Sequence, residues 1–221
     1  MAGGLARQGK AGRGEAGQGM GFKTTTQSYT GQKHMKATIK GTSLMMHNGR
    51  LADPLDPFAK ALKVESKRRG KSDADHEAVA EAEFRGGLYH DEELGPYIPA
   101  EWIHAALIEG AKLSKLGKLF KSSVVVNGAK FPLKYKGPRD VDSLAKNVKF
   151  RDRRCVRVGQ SKVMRTRPVF HDWSVSFEVL IVGEALNVDD VKVALRNAGA
   201  MVGMGDGRPM FAGKFEVVSF E

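Results

Sequence analysis

The stretch that decides the fold is the last quarter of the chain. Trp173–Val182 reads WSVSFEVLIV, Asp189–Ala198 reads DDVKVALRNA, Gly203–Pro209 reads GMGDGRP and Phe211–Phe220 reads FAGKFEVVSF. The first segment alternates apolar and polar residues and is β-branched, so it reads as a strand with one buried face. The second places Val191, Ala194, Leu195 and Ala198 on one helical face. Asp189 and Asp190 suit the positive end of that helix, and Gly199 suits its C-terminus. A glycine-rich turn follows, and Phe211–Phe220 closes as a strand. Strand, helix, turn and strand form half of a split βαβ arrangement.

The other half lies upstream. Met35–His47 (MKATIKGTSLMMH) alternates loosely and reads as the first strand. Pro99 fits the start of a helix from Ala100 to about Leu116, with Ile103, Ala106, Leu107, Gly110, Ala111 and Leu113 or Ser114 on one face. The expected fold is therefore α+β with a ferredoxin-like (RRM/RAMP-like) core. Two inserted hairpins are expected. One turns at Asn127-Gly128 between Val124–Val126 and Phe131–Tyr135. The other turns at Gly159-Gln160 between Arg153–Val158 and Lys162–Arg167, and Pro168 ends it. Asp53-Pro54 and Asp56-Pro57 read as an irregular connection. Ser72 caps a helix over Asp73–Phe84 that Gly86-Gly87 stops, His90–Glu93 reads as a polar turn, and Val141–Lys146 reads as a helical turn.

Composition narrows the function. The chain has 221 residues with 36 Lys and Arg against 25 Asp and Glu, a net charge of +11. No run approaches the ~18 apolar residues of a membrane span. The N-terminus has no apolar segment of the secretory kind. The single cysteine, Cys155, excludes an intrachain disulfide framework and a Cys-rich zinc site. The expectation is a soluble basic protein of a reducing cytoplasm with nucleic acid as the leading partner class and no membrane partner. Residues 1–33 hold nine Gly, five Lys or Arg and one acid, and read as a disordered Gly-rich basic arm ahead of a domain over 34–221. That arm either adds loose phosphate contacts or is inert.

The densest charge is Lys149–Pro168 (KFRDRRCVRVGQSKVMRTRP), eight cations against the one acid Asp152. Arg151, Arg153, Arg154, Arg157, Lys162, Arg165 and Arg167 would grip a phosphate backbone from a two-stranded ribbon. The plainer reading is a solvated hairpin whose arginines pair with acids elsewhere. Gly203, Gly205 and Gly207 permit a backbone nest for a phosphate, with Arg208 beside it. The alternative is a tight connection that only needs glycine. The loop is neither a P-loop nor a Rossmann fingerprint, because no GK[ST] follows and a strand succeeds it. Phe131, Tyr135, Phe150, Phe170, Trp173 and Phe211 lie near the basic stretches and are core residues or stacking platforms. No His pair has metal spacing, no HExxH or GxSxG occurs, and no cofactor or metal site is expected. Asp53 and Asp56 flank prolines and could bind a metal, a reading that is not favoured. Cys155 has no clear catalytic partner.

The segment Gly203-Met204-Gly205-Asp206-Gly207-Arg208-Pro209-Met210-Phe211, with Gly213–Val217 after it, resembles the glycine-rich loop of the RAMP superfamily. These are ferredoxin-like RNA-binding subunits and processing nucleases of CRISPR systems. Met35–Glu221 as a whole also resembles a protein family common in tailed bacteriophages, through Met45–Asn48, Gly87–Tyr89, Ile98–Glu101, Tyr135–Arg139, Arg165–Phe170 and the Gly203–Phe215 loop. The resemblance implies single-stranded DNA or RNA held by the sheet, the glycine loop and a projecting hairpin. It also implies self-association along the strand and a place in the cytoplasm of a bacterial host. Processing nucleases of the superfamily often use a histidine on the first helix. His104 is the one position that could correspond, and no surrounding motif supports it. The expectation is a non-catalytic nucleic-acid-binding protein. The alternatives are an adaptor for an acidic protein partner and an endoribonuclease using His104.

Overall fold

The computed structural model describes residues 32–221. The arm expected over residues 1–33 lies outside the described residues except for its last two. In chain order the elements are β1 (Lys33–Met45), α1 (Pro57–Lys67), α2 (Asp73–Gly87), β2 (His90–Asp91), β3 (Gly95–Pro99), α3 (Ala100–Lys112) and α4 (Gly117–Ser123). There follow β4 (Val124–Asn127), β5 (Lys130–Pro132), α5 (Val141–Lys146), β6 (Arg151–Val158), β7 (Ser161–Ile181), α6 (Val188–Asn197) and β8 (Glu216–Phe220).

The main sheet runs β4-β7-β1-β8, and every neighbouring pair is antiparallel. Taken in sequence, β1, α3, β4, β7, α6 and β8 give β-α-β-β-α-β with the two halves interleaved. This is the ferredoxin-like topology expected from the sequence. The alternation in β7 sets the layering. Trp173, Val175, Phe177, Val179 and Ile181 are buried, as are Met35, Ala37 and Ile39 opposite them on β1. The helices α3 and α6 cover that face with Ile103, Ala106, Leu107 and Ala111 and with Val191, Ala194 and Leu195. The two helices touch at backbone distance. A Cβ on Gly110 would lie 2.1 Å from the Ala194 carbonyl oxygen, so only glycine fits there. The opposite sheet face is polar, with Thr38 and Ser176 hydroxyls 2.9 Å apart and Glu178 accepting from Asn127.

Several expectations are corrected. Asp56-Pro57 is a helix start and not an irregular connection. The Asp56 side chain accepts from the Phe58 N–H at 2.8 Å, and Pro57 takes the first turn, where its missing donor costs nothing. Gly86 and Gly87 lie inside α2, whose C-cap is Leu88. His90–Asp91 is a short strand that pairs with β3. The Asn127-Gly128 turn does not make a hairpin. β4 joins the main sheet beside β7, while β5 leaves it and pairs with β3 in a second sheet ordered β2-β3-β5. The helix from Ala100 ends at Lys112, and α4 follows as a separate turn of chain. Pro168 does not end a strand. β7 runs unbroken through it for 21 residues, with its first part paired to β6 and the rest to β1. The closing strand is shorter than Phe211–Phe220 and starts at Glu216, because Phe211–Phe215 belongs to the glycine-rich connection.

Candidate nucleic-acid interface

The β6–β7 hairpin turns at Gly159-Gln160 and projects from the sheet, as its sequence predicts. Directly opposed residues share a face of an antiparallel ribbon. The pairs Arg153–Thr166, Cys155–Met164 and Arg157–Lys162 therefore define one face. The pairs Asp152–Arg167, Arg154–Arg165 and Val156–Val163 define the other.

The second face is charge-matched. Arg154 donates through Nε and Nη2 to the two carboxylate oxygens of Asp152. Arg165 Nη1 donates to Glu83 Oε1 at 2.6 Å, and the Thr166 N–H donates to Glu83 Oε2 at 2.7 Å. Glu83 is only 3% exposed, so α2 uses one buried carboxylate to close the open edge of β7. Arg167 Nε donates to Asp206 Oδ2 at 2.6 Å. Burial pushes the Asp206 carboxyl up, and the Arg167 hydrogen bond and charge outweigh it, leaving it below the ordinary 3.8.

The first face is different. Arg153, Cys155, Arg157, Lys162 and Met164 are exposed. Arg151, at the base of the ribbon, meets Glu77 at 2.5 Å, and Arg153 reaches the same carboxylate only at 4.0 Å. Arg157 Nε donates to the Gly159 carbonyl at 3.1 Å and meets no carboxylate within ion-pair distance among the described residues. Lys162 likewise has no acidic partner among the described residues. Four residues at about 3.3 Å each put Arg153 roughly 13 Å from Arg157 along the strand. A groove of about 720 Å³ continues from Arg153 and Met164 toward Lys71 and His76 at the α1–α2 corner.

The glycine loop is built for the fold. Gly203, Gly205 and Gly207 all have φ near +75°, at 75, 77 and 75°. A Cβ on Gly205 would lie 2.4 Å from the Met45 carbonyl oxygen, and one on Gly207 would enter the Phe211 ring. The N–H groups of Gly203, Met204 and Asp206 donate to the carbonyls of Ala198, Gly213 and Met45, and that of Gly207 donates to Asp206 Oδ1. Four of the five N–H groups from Gly203 to Gly207 are thus spent within the chain. Arg208 is exposed, and its Nη1 donates to the Gly205 carbonyl at 2.8 Å.

Of the aromatic residues near the charge, Phe131, Phe150, Phe170 and Trp173 are buried. Tyr135 packs edge-on to Phe150 and Phe170, and burial pushes its hydroxyl up to about 12. Phe211 is the exception, half exposed beneath the Arg154 guanidinium. His104 Nε2 donates to the Val124 carbonyl at 3.1 Å, which ties α3 to β4. Among the described residues no group of three or more His, Cys, Asp or Glu side chains is arranged to hold a metal, and no helix is long and apolar enough to cross a membrane. Sequence reasoning missed Glu77, Glu83 and Asp206, the carboxylates that neutralise the ribbon. The first two lie more than 70 residues upstream of the arginines they meet, beyond any local charge count.

No protein-family model matches the sequence, and no curated protein does. Among solved structures, a chain in the cryo-EM structure of the type III-B Cmr-beta bound to cognate target RNA is 12% identical with a TM-score of 0.41. The match covers 86% of this chain and 60% of that one, so the present chain spans less than two thirds of the length of that neighbour.

Proposed function

We propose that the protein binds single-stranded nucleic acid, DNA or RNA, without cleaving it. The observation that carries this reading is the exposed hairpin face, where Arg157 and Lys162 have no carboxylate partner among the described residues and Arg153 only a long one, Glu77 at 4.0 Å. A protein surface that only needs solubility mixes both signs of charge. This face presents cations of one sign on a rigid two-stranded support, which suits a polyanion. Two of the three are arginines, whose forked donors fit phosphate. Arg151, Arg165 and Arg167, held by Glu77, Glu83 and Asp206, affect binding through the shape of the hairpin and not as primary phosphate contacts. Arg208, exposed and without a carboxylate partner among the described residues, is a further phosphate contact from the glycine loop. Several copies bind side by side along one strand in the cytoplasm of a bacterial host, as the family resemblance implies. His104 has a structural bond, which supports leaving it out of any chemistry.

The test is fluorescence anisotropy of the full chain with labelled single-stranded DNA, single-stranded RNA and duplex at several salt concentrations. Binding that prefers a single strand and weakens log-linearly with salt is expected, at about −0.7 per phosphate neutralised. Absence of binding at low salt overturns the reading and leaves the exposed face as a protein-contact surface.

A further inference from the structure

The Arg154 guanidinium is fixed on two sides. One edge is taken by both oxygens of Asp152, two residues away on the same strand and the same face. One face lies over the Phe211 ring, with 4.0 Å between the guanidinium carbon and the ring centroid. The ring in turn is braced by the loop. It packs so closely on Gly207 that a Cβ there would lie 2.2 Å from Cε2, and the Phe211 N–H donates to the Gly207 carbonyl. Carboxylate, guanidinium and ring form one layered unit joining the hairpin to the glycine loop.

This unit is poorly suited to clamp a phosphate. Its Nε–Nη2 edge is occupied, and its charge is already matched by Asp152. It is not core packing either, since the Arg154 side chain is 35% exposed and Phe211 49%. Met210 beside it is 81% exposed. What the unit still offers is a flat, immobilised plane. Planar guanidinium groups and aromatic rings stack on unpaired bases without regard to sequence. Among the described residues β6 pairs only with β7, so its outer edge is open. Arg153 and Arg154 are consecutive on that edge strand and point to opposite faces. A strand whose phosphates lie on the exposed face can therefore turn a base over the β6 edge.

We infer that Arg154 and Phe211 form a stacking shelf for one unpaired base, separate from the phosphate contacts of Arg153, Arg157 and Lys162. The inference rests on the nucleic-acid-binding reading and assigns it a base-contacting element. The test uses the full chain, a single-stranded oligonucleotide and the same oligonucleotide carrying 2-aminopurine. R154K keeps the charge and removes the plane, and Phe211→Ala removes the ring. Each is expected to weaken binding about tenfold with the log–log salt slope unchanged, because no phosphate contact is lost. The 2-aminopurine quenching seen with the parent protein is expected to disappear in both. Phe211→Tyr keeps a ring and is expected to bind like the parent. If R154K binds normally, or if the Arg154 and Phe211 variants lose salt slope, the shelf is overturned while nucleic-acid binding stands. If the parent protein binds no oligonucleotide, both readings fall together.

Discussion

The two faces of the β6–β7 hairpin come from the same short sequence and have opposite electrostatics. On one, Arg154, Arg165 and Arg167 are held by Asp152, Glu83 and Asp206 and are partly covered. On the other, Arg153, Arg157 and Lys162 are exposed, and among the described residues the nearest carboxylate to any of them is Glu77, 4.0 Å from Arg153. Strand alternation alone separates the two sets. The difference shows that charge counted along a chain is not charge offered to a partner. Arginines that meet buried or half-buried carboxylates hold the hairpin at a fixed angle to α2 and the glycine loop. The cations left over face solvent on a support that the first set keeps rigid.

If the division is right, substitutions on the covered face alter stability and those on the exposed face alter binding. The largest stability effect is expected at Glu83. Glu83→Ala strands the Thr166 N–H and removes the partner of Arg165, and should cost about 3 kcal/mol, lowering the thermal midpoint by roughly 10 °C. A loss within about 0.5 kcal/mol, as at an ordinary surface site, would break the comparison. Asp206→Asn should cost less, about 1 kcal/mol, because its pair with Arg167 is partly solvated. Its pH signature is specific. The Asp206 carboxyl is depressed in the folded chain, so its contribution is present above the ordinary 3.8 and is lost as pH falls through the lower folded value. Urea titrations from pH 6 to pH 3 should show a flatter acid limb for Asp206→Asn than for the parent. The smallest effect is expected at His47. Desolvation, followed by the Arg167 guanidinium, holds its imidazole below 6.5. Stability tied to the neutral ring is then present above pH 6.5 and declines as pH falls below it. H47Q should remove that decline, and a slope unchanged between pH 7 and pH 5 would separate His47 from the Arg167–Asp206 cluster.

The parts legible in the sequence are those whose burial pattern is periodic. Trp173–Ile181 and the faces of α3 and α6 announce the layered core, and the order of the elements gives the split βαβ topology. Elements with weak burial were illegible. α1 has no fully buried residue, so only its cap and Pro57 mark it, and those residues also mark loops. The Asn127-Gly128 turn misleads because turn chemistry fixes a reversal but not which strand the returning chain joins. The hairpin itself and its alternation were readable, and so was its bulk charge. Its division into bound and free cations was not, since the carboxylates that decide it come from α2 and from the glycine loop. The positive φ that Gly203, Gly205 and Gly207 adopt is legible in GMGDGRP, since only glycine takes it freely. Whether their N–H groups face a ligand or the chain depends on Ala198, Met45 and Gly213, which only the fold brings together.

The most direct test of the central claim replaces the exposed cations together. R153Q, R157Q and K162Q in the full chain should leave unfolding within about 0.5 kcal/mol of the parent. Single-strand affinity should fall, and the log–log salt slope should become shallower by about 2, three phosphate contacts at about 0.7 each. A triple variant that keeps the parent slope and affinity would contradict the account and move binding away from this face of the hairpin.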